Sequence, residues 1–290
     1  MDLIEHYRNS NANSHKNLPL AEARVLDDRW GDVTAEPGGV DYLEVDAGGV
    51  RAMWAVPHGT PDDGVLLCLH GGGFIGGSMY THRKVFAHLA KRTGVRALIV
   101  DYRRTPEFQH PAALQDCVTA YRWLREQGVT KIAITGDSAG GLLTLTTTLR
   151  VEPKPVAILP FSAWTDMEFR GESLKTNVAT DLLFGGDRPM NLQALVNMYL
   201  GEEGDPADPE VSPLNADLSG LPPTYITVSD AEMLLDDSLR LHEKAVAQGV
   251  DATVDVVPGQ QHTFQMSAGH DAVADAAIAR MADWVRPYLV

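Results

Sequence analysis

The 290-residue chain is 44% hydrophobic and 22% charged, the balance of a soluble globular protein with a sizeable core, which excludes a disordered or fibrous chain. Its 39 acidic against 24 basic side chains leave a formal charge of −15, which repels phosphate backbones and anionic lipid surfaces, so neither nucleic acid nor membrane is an expected partner. The opening residues lack the basic-then-apolar order of a signal peptide, and no apolar run reaches the roughly 18 residues of a membrane span, so a cytoplasmic protein is expected.

Residues 1–39 are polar with a weak helical pattern. Residues 40–45 and 50–56 then read as strands joined through Asp46, Gly48 and Gly49, a composition that suits a hairpin. Further strand-like runs follow at 65–69, 97–101, 131–135, 156–161, 225–229 and 253–257. Helical spacing of apolar residues occupies 83–92, 112–127, 139–149, 234–248 and 271–288, with Gly94, Gly128 and Gly249 where helices end. This alternation predicts an α/β fold: a mostly parallel eight-stranded sheet, mixed at the hairpin edge and covered by helices on both faces. Cys68 and Cys117 sit in apolar runs and read as buried free thiols.

Two segments break the rhythm, 1–39 and 164–221, the second rich in Gly, Pro and Asp with one helix at 190–199. Insertions on such a sheet lie over the carboxyl ends of its strands, where ligands bind, so both are expected to form a cap on a domain spanning 40–290. Surface decoration is the alternative for each.

The chemistry concentrates at Gly136-Asp137-Ser138-Ala139-Gly140, a GxSxG sequence between an apolar run and a helical pattern. Small neighbours allow a strained turn that exposes the serine hydroxyl at the top of the sheet. A hydroxyl is a weak nucleophile near neutral pH and needs a general base held by a third group. Of ten histidines, only His262 falls in a short loop between a late strand and the last helix. His82, His88, His242 and His270 lie in or beside helical patterns, where exposure is expected. After the preceding strand, Asp230, Glu232, Asp236 and Asp237 offer four carboxylates, and spacing does not choose among them. Asp236 and Asp237 suit the first turn of the next helix, which leaves Asp230 and Glu232. His70-Gly71-Gly72-Gly73-Phe74 directly follows a central strand and supplies free backbone N–H groups for a tetrahedral oxyanion. It carries neither a Walker lysine nor a GxGxxG fingerprint, which turns it away from phosphate binding.

These motifs, with Asp101-Tyr102-Arg103-Arg104-Thr105-Pro106-Glu107 and Pro111-Ala112-Ala113-Leu114 between them, resemble the hormone-sensitive-lipase branch of the α/β-hydrolases over roughly residues 40–289. The resemblance implies Ser138 as nucleophile, His262 as base and an oxyanion hole of the Gly72, Gly73 and Ala139 N–H groups. The family often places Asp-Pro-Leu-x-Asp 17 residues before a Gly-Val pair, and counting back from Gly249-Val250 reaches Glu232. Glu232 is therefore taken as the orienting acid, Asp236 as a residue supporting it, and Asp230 as the runner-up. His262-Thr263-Phe264 departs from the common His-Gly-Phe, a change that bears on the acyl pocket. His70 is expected to hold its own loop by hydrogen bonds. The implied activity is hydrolysis of short- to medium-chain carboxylic esters through an acyl-serine, with no metal or organic cofactor. A lactone hydrolase with the same triad, acyl transfer to an alcohol, and a non-catalytic receptor on the same fold remain alternatives. The last helix permits a homodimer.

Overall fold

The computed structural model describes residues 2–12, 18–61, 63–186 and 190–290, so parts of both irregular segments (1, 13–17 and 187–189) lie outside the described residues. Eight strands form one sheet: β1 (Val40–Asp46), β2 (Arg51–Pro57), β3 (Gly64–Leu69), β4 (Arg96–Val100), β5 (Lys131–Asp137), β6 (Ala157–Phe161), β7 (Thr224–Ser229) and β8 (Ala252–Val257). Their spatial order is β1-β2-β4-β3-β5-β6-β7-β8. β2 pairs antiparallel with both β1 and β4; along the order from β4 to β8 every pairing is parallel. The mixed edge is the expected hairpin, closed by Asp46 Oδ1 accepting the Gly49 N–H at 2.5 Å.

The unbroken apolar run of β3 reflects burial on both faces. Val65, Leu67 and Leu69 point into one core with α4 (Ala112–Glu126), α5 (Ala139–Arg150) and α8 (Leu235–Ala247). Leu66 and Cys68 point into the other, with α3 (Met79–Thr93) and α9 (Ala272–Leu289). Cys117 belongs to the first core and Cys68 to the second, so the sheet separates two buried free thiols.

Threonine is a poor helix former, yet α5 carries Thr144, Thr146, Thr147 and Thr148, all buried. Tertiary burial overrides propensity here, and three of the hydroxyls are satisfied within the helix, donating to the carbonyls of Gly140, Leu142 and Thr144. The helix expected from residue 83 begins earlier, at Met79, because Ser78 and Thr81 form a reciprocal capping box.

The polar first segment is more helical than its pattern suggests: α1 (Leu3–Ala12) and α2 (Leu20–Asp27) precede a 3₁₀ turn at Asp28–Val33. Leu3 and Tyr7, one turn apart on α1, are buried in the second core, while Ile4 beside them is exposed. The second irregular segment holds a short α6 (Ser173–Thr176) and α7 (Leu192–Leu200). Residues from both segments line the same cavity as Ser138 and His262.

Candidate active site

Parallel pairing of β3 with β5 brings two loops together at their carboxyl ends, His70–Phe74 and the Ser138 turn. Ser138 sits at φ 53°, ψ −118°, outside the regions an L-residue prefers, between β5 and α5. That conformation requires glycine on either side. A Cβ on Gly136 would lie 2.4 Å from the Gly140 carbonyl oxygen, and one on Gly140 would lie 2.0 Å from that of Leu69. The Ser138 backbone is tied down by its N–H to the Phe161 carbonyl at 3.1 Å and by its own carbonyl, which accepts from Gly141, Leu142 and Trp164.

The glycine loop is pinned to this turn by Asp137, whose Oδ1 accepts the Gly71 N–H at 2.9 Å. The N–H groups of Gly72, Gly73 and Ala139 have no acceptor among the described residues, and Gly72, Gly73 and Ser138 share the cavity wall. His70 is fully buried, stacked on Tyr102 at 4.1 Å, with Nδ1 donating to the Gly71 carbonyl at 2.8 Å. Burial, aided by the neighbouring His82 ring, holds its pKa well below the ordinary imidazole value, so the ring is neutral.

His82 corrects an expectation: it is completely buried rather than exposed. Its Nε2 lies 3.2 Å from Asp137 Oδ2, and Trp30 meets its ring edge-on at 4.8 Å. The helical pattern around it was real, but α3 is covered on that side by the 3₁₀ turn carrying Trp30, which no local pattern reveals. His270 is exposed as expected, while His88 and His242 are partly covered.

Glu232 follows β7 and His262 follows β8, and the structure brings them together: His262 Nδ1 donates to Glu232 Oε2 at 2.7 Å. Glu232 Oε1 accepts from the Ser229 N–H and the Ser162 hydroxyl, each at 2.8 Å. Both members of the pair are buried. Burial alone would lower the His262 pKa, but the hydrogen bond and charge of Glu232, with Asp181 and Asp137 beyond, raise it above 6.5. His262 Nε2 is buried without a hydrogen-bond partner among the described residues, and His262 lines the cavity that Ser138 also lines. The alternative acid, Asp230, is exposed and caps the neighbouring loop by accepting the Gly259 N–H at 2.6 Å. Asp236 is not where the resemblance placed it. Its carboxylate accepts the Ser173 N–H at 3.0 Å, joining α6 to the start of α8, and makes no hydrogen bond to Glu232. The first turn of α8 carries Asp236 away from the acid, while Asp237 turns inward to accept from Thr165 and Asp166. Full burial pushes the Asp237 carboxyl up to about 7.

Several residues that the sequence did not single out hold these loops. In the second irregular segment, Asn177 Nδ2 donates to the carbonyls of Asp230 and Glu232, both at 2.8 Å. Asp181 accepts from the N–H of Met233 at 2.8 Å while capping its own turn through Leu183 and Phe184. The Phe184 ring stands 4.7 Å from that of His262. From the N-terminal segment, the Tyr7 hydroxyl reaches the His262 carbonyl at 2.8 Å and Thr263 Oγ1 at 2.6 Å. Thr263, at the position where glycine is common in the resembled family, has φ 50°, so its hydroxyl contact accompanies a conformation glycine would adopt without strain. Only Ser162 carried a usable signal, standing one residue past a central strand at the edge that holds the serine turn.

The cavity has a volume of about 390 Å³. Tyr7 and Trp30 wall it from the N-terminal segment; Trp164, Leu183, Phe184 and Leu195 wall it from the second. Among the described residues, no three His, Cys, Asp or Glu side chains form a metal-holding group.

Comparisons with known proteins bear on the fold and the family. A family described as having the alpha/beta hydrolase fold matches residues 66–266. An esterase of Acinetobacter venetianus is 37% identical over 226 residues, covering 76% of this chain and 74% of that protein. An acetyl-hydrolase of Streptomyces hygroscopicus is 34% identical over 259 residues, covering 86% and 84%. Among solved structures, a mutant of the esterase E40 superposes with a TM-score of 0.92 at 37% identity, over 99% of this chain and 97% of that one. An esterase from the bacterial hormone-sensitive lipase family gives 0.89 at 35% identity, over 99% and 98%. The chain belongs to the α/β-hydrolase fold family, on its bacterial hormone-sensitive-lipase branch, and is an enzyme of the carboxylesterase class.

Proposed function

We propose that this esterase hydrolyses short- to medium-chain carboxylic esters through an acyl-serine formed on Ser138, with His262 as general base and Glu232 as the orienting acid. The carrying observation is the buried Glu232–His262 pair, whose Nε2 has no partner among the described residues and whose imidazole lines the same cavity as Ser138. Ser138 Oγ attacks the ester carbonyl and passes its proton to His262 Nε2. The oxyanion meets the N–H groups of Gly72, Gly73 and Ala139, donors worth about 3–4 kcal/mol each in such sites. Collapse of the tetrahedral intermediate breaks the bond to the alcohol, which takes the proton from His262. Water, giving one proton to the same imidazole, then attacks the acyl-serine; the intermediate collapses as His262 returns that proton to Ser138 Oγ, and the carboxylic acid leaves and loses its remaining proton to solvent. Glu232 holds the tautomer with the proton on Nδ1 and stabilises the imidazolium without taking that proton. His70, neutral and turned onto its own loop, keeps the glycine loop in shape.

Both irregular segments serve as the cap of this site in our reading, since each contributes walls to the cavity. Its volume is near the small end for ligand pockets, which favours small esters over long insoluble ones. No described helix is long and apolar enough to cross a membrane, and the two buried free thiols suit a reducing compartment, so we place the enzyme in the cytoplasm. The test is hydrolysis of p-nitrophenyl esters from acetate to dodecanoate beside a lactone panel, with Ser138→Ala as control. Rates peaking at short chains support the reading; faster lactone turnover would move the substrate class, and binding without turnover would leave a receptor.

A further inference from the structure

We propose that Ser162 is a positioning residue of the catalytic pair, its one hydroxyl locking the acid loop and the base loop into a single geometry. Ser162 lies just past β6, the strand between the one that carries Ser138 and the one that leads to Glu232. It is fully buried and held at φ 46°, with its N–H donating to the Thr227 carbonyl at 2.7 Å. Its hydroxyl donates to Glu232 Oε1 at 2.8 Å and accepts the Thr263 N–H at 3.2 Å. One oxygen thus touches the acid and the residue next to the base.

The position has a chemical logic. Glu232 must keep Oε2 on His262 Nδ1, and a carboxylate is free to rotate unless its other oxygen is also anchored. Among the described residues Oε1 has two anchors, of which Ser162 also reaches the histidine loop, while the Ser229 N–H belongs to the acid loop itself. Removing the hydroxyl leaves a buried carboxylate oxygen short of one donor and a buried N–H without an acceptor, a costly pairing failure in a water-poor site. Ser162 is absent from the cavity wall, so its influence on turnover passes through Glu232 and His262 rather than through the substrate.

This proposal rests on the triad reading above, and its test separates the two. Ser162→Ala and Ser162→Gly each remove the hydroxyl; the glycine variant accepts a positive φ without strain and guards against loss of the fold. Each is made in the native background and in Glu232→Gln, and p-nitrophenyl butyrate is the substrate. In the native background kcat is expected to fall roughly 10- to 100-fold, the scale of a lost hydrogen bond to a charged group, with KM changed less than about twofold. In the Glu232→Gln background the same substitutions should cost less than about threefold, because residues that act as a unit are non-additive. Equal losses in both backgrounds, or no loss in the native one, would overturn the proposal and leave Ser162 a packing residue. A second readout needs no turnover: the low-field His262 Nδ1–H proton resonance should be present in the native protein and lost to exchange in both Ser162 variants. An unchanged resonance would overturn the proposal. A native protein that shows the resonance but hydrolyses no ester would overturn the functional reading alone.

Discussion

On the Ser138 side of the site, geometry is enforced mainly by backbone and by absent side chains, with the Asp137 carboxylate pinning the glycine loop to the serine turn. Gly136 and Gly140 leave no room for a methyl group against neighbouring carbonyls, and the free N–H groups of the glycine loop point where local turns put them. On the His262 side, nothing comparable constrains the chain. The acid and base sit on two separate loops, and side chains from three distant places hold them: Tyr7 of α1, Ser162 after β6, and Asn177 and Asp181 of the second irregular segment. One half is largely a product of sterics and is tolerant of few substitutions. The other is a product of long-range hydrogen bonds, and so can be weakened in graded steps.

The largest break should come from Ser138→Ala, which removes the nucleophile and is expected to lower kcat by about 10⁶, the scale for a triad serine. Since Ser138 Oγ makes no hydrogen bond within the protein among the described residues, the melting temperature should stay close to the native one. A melt and a rate assay on one preparation check both. Glu232→Gln comes next, with kcat expected to fall by about 10⁴. Its pH profile sharpens the comparison. The base must be neutral to act, so kcat/KM falls as pH drops through the His262 pKa. Because Glu232 holds that pKa above 6.5, the acid limb of the native enzyme should have its midpoint above pH 6.5. In Glu232→Gln the raising charge is gone and burial dominates, so whatever activity remains should carry that limb to below pH 6.5. A limb unmoved by the substitution would mean that another group titrates.

On the steric side, Gly140→Ala forces a Cβ to 2.0 Å from a backbone carbonyl that has no freedom to retreat. The expected outcome is a loss of about 3 kcal/mol or more of stability, seen as insoluble protein or a shifted denaturation midpoint. The smallest effect belongs to Tyr7→Phe, which deletes the bonds to His262 O and Thr263 Oγ1 but keeps the buried ring. A loss of about 1–2 kcal/mol of stability and a fall in kcat of less than about tenfold are expected. A Tyr7→Phe variant as inactive as Glu232→Gln would show that the His262 side is not graded at all.

Much of the scaffold was legible because its signals are local. All eight strands and the five long helices follow from apolar periodicity, and the serine turn from glycines set two apart on either side of Ser138. His262 could be chosen from its loop position, and Glu232 from spacing within the resembled family. The misreadings have one cause in common. The burial of His82 depends on Trp30, fifty-two positions away in the chain, which a helical pattern beside it does not show, and Asp236, paired with Glu232 through the spacing of the resembled family, meets Ser173 on another element instead. The helices α1 and α2 were faint because docking, not an amphipathic repeat of their own, holds them.

The strands, their alternation with helices, the strained serine turn and the glycine loop are written in the chain locally, since each depends on sterics and periodicity within a few residues. Which carboxylate meets His262, which side chains hold that pair and which segments wall the cavity emerge from the folded chain. Those contacts join residues up to 256 positions apart, and hydrogen bonds of that span leave no periodic trace in the chain.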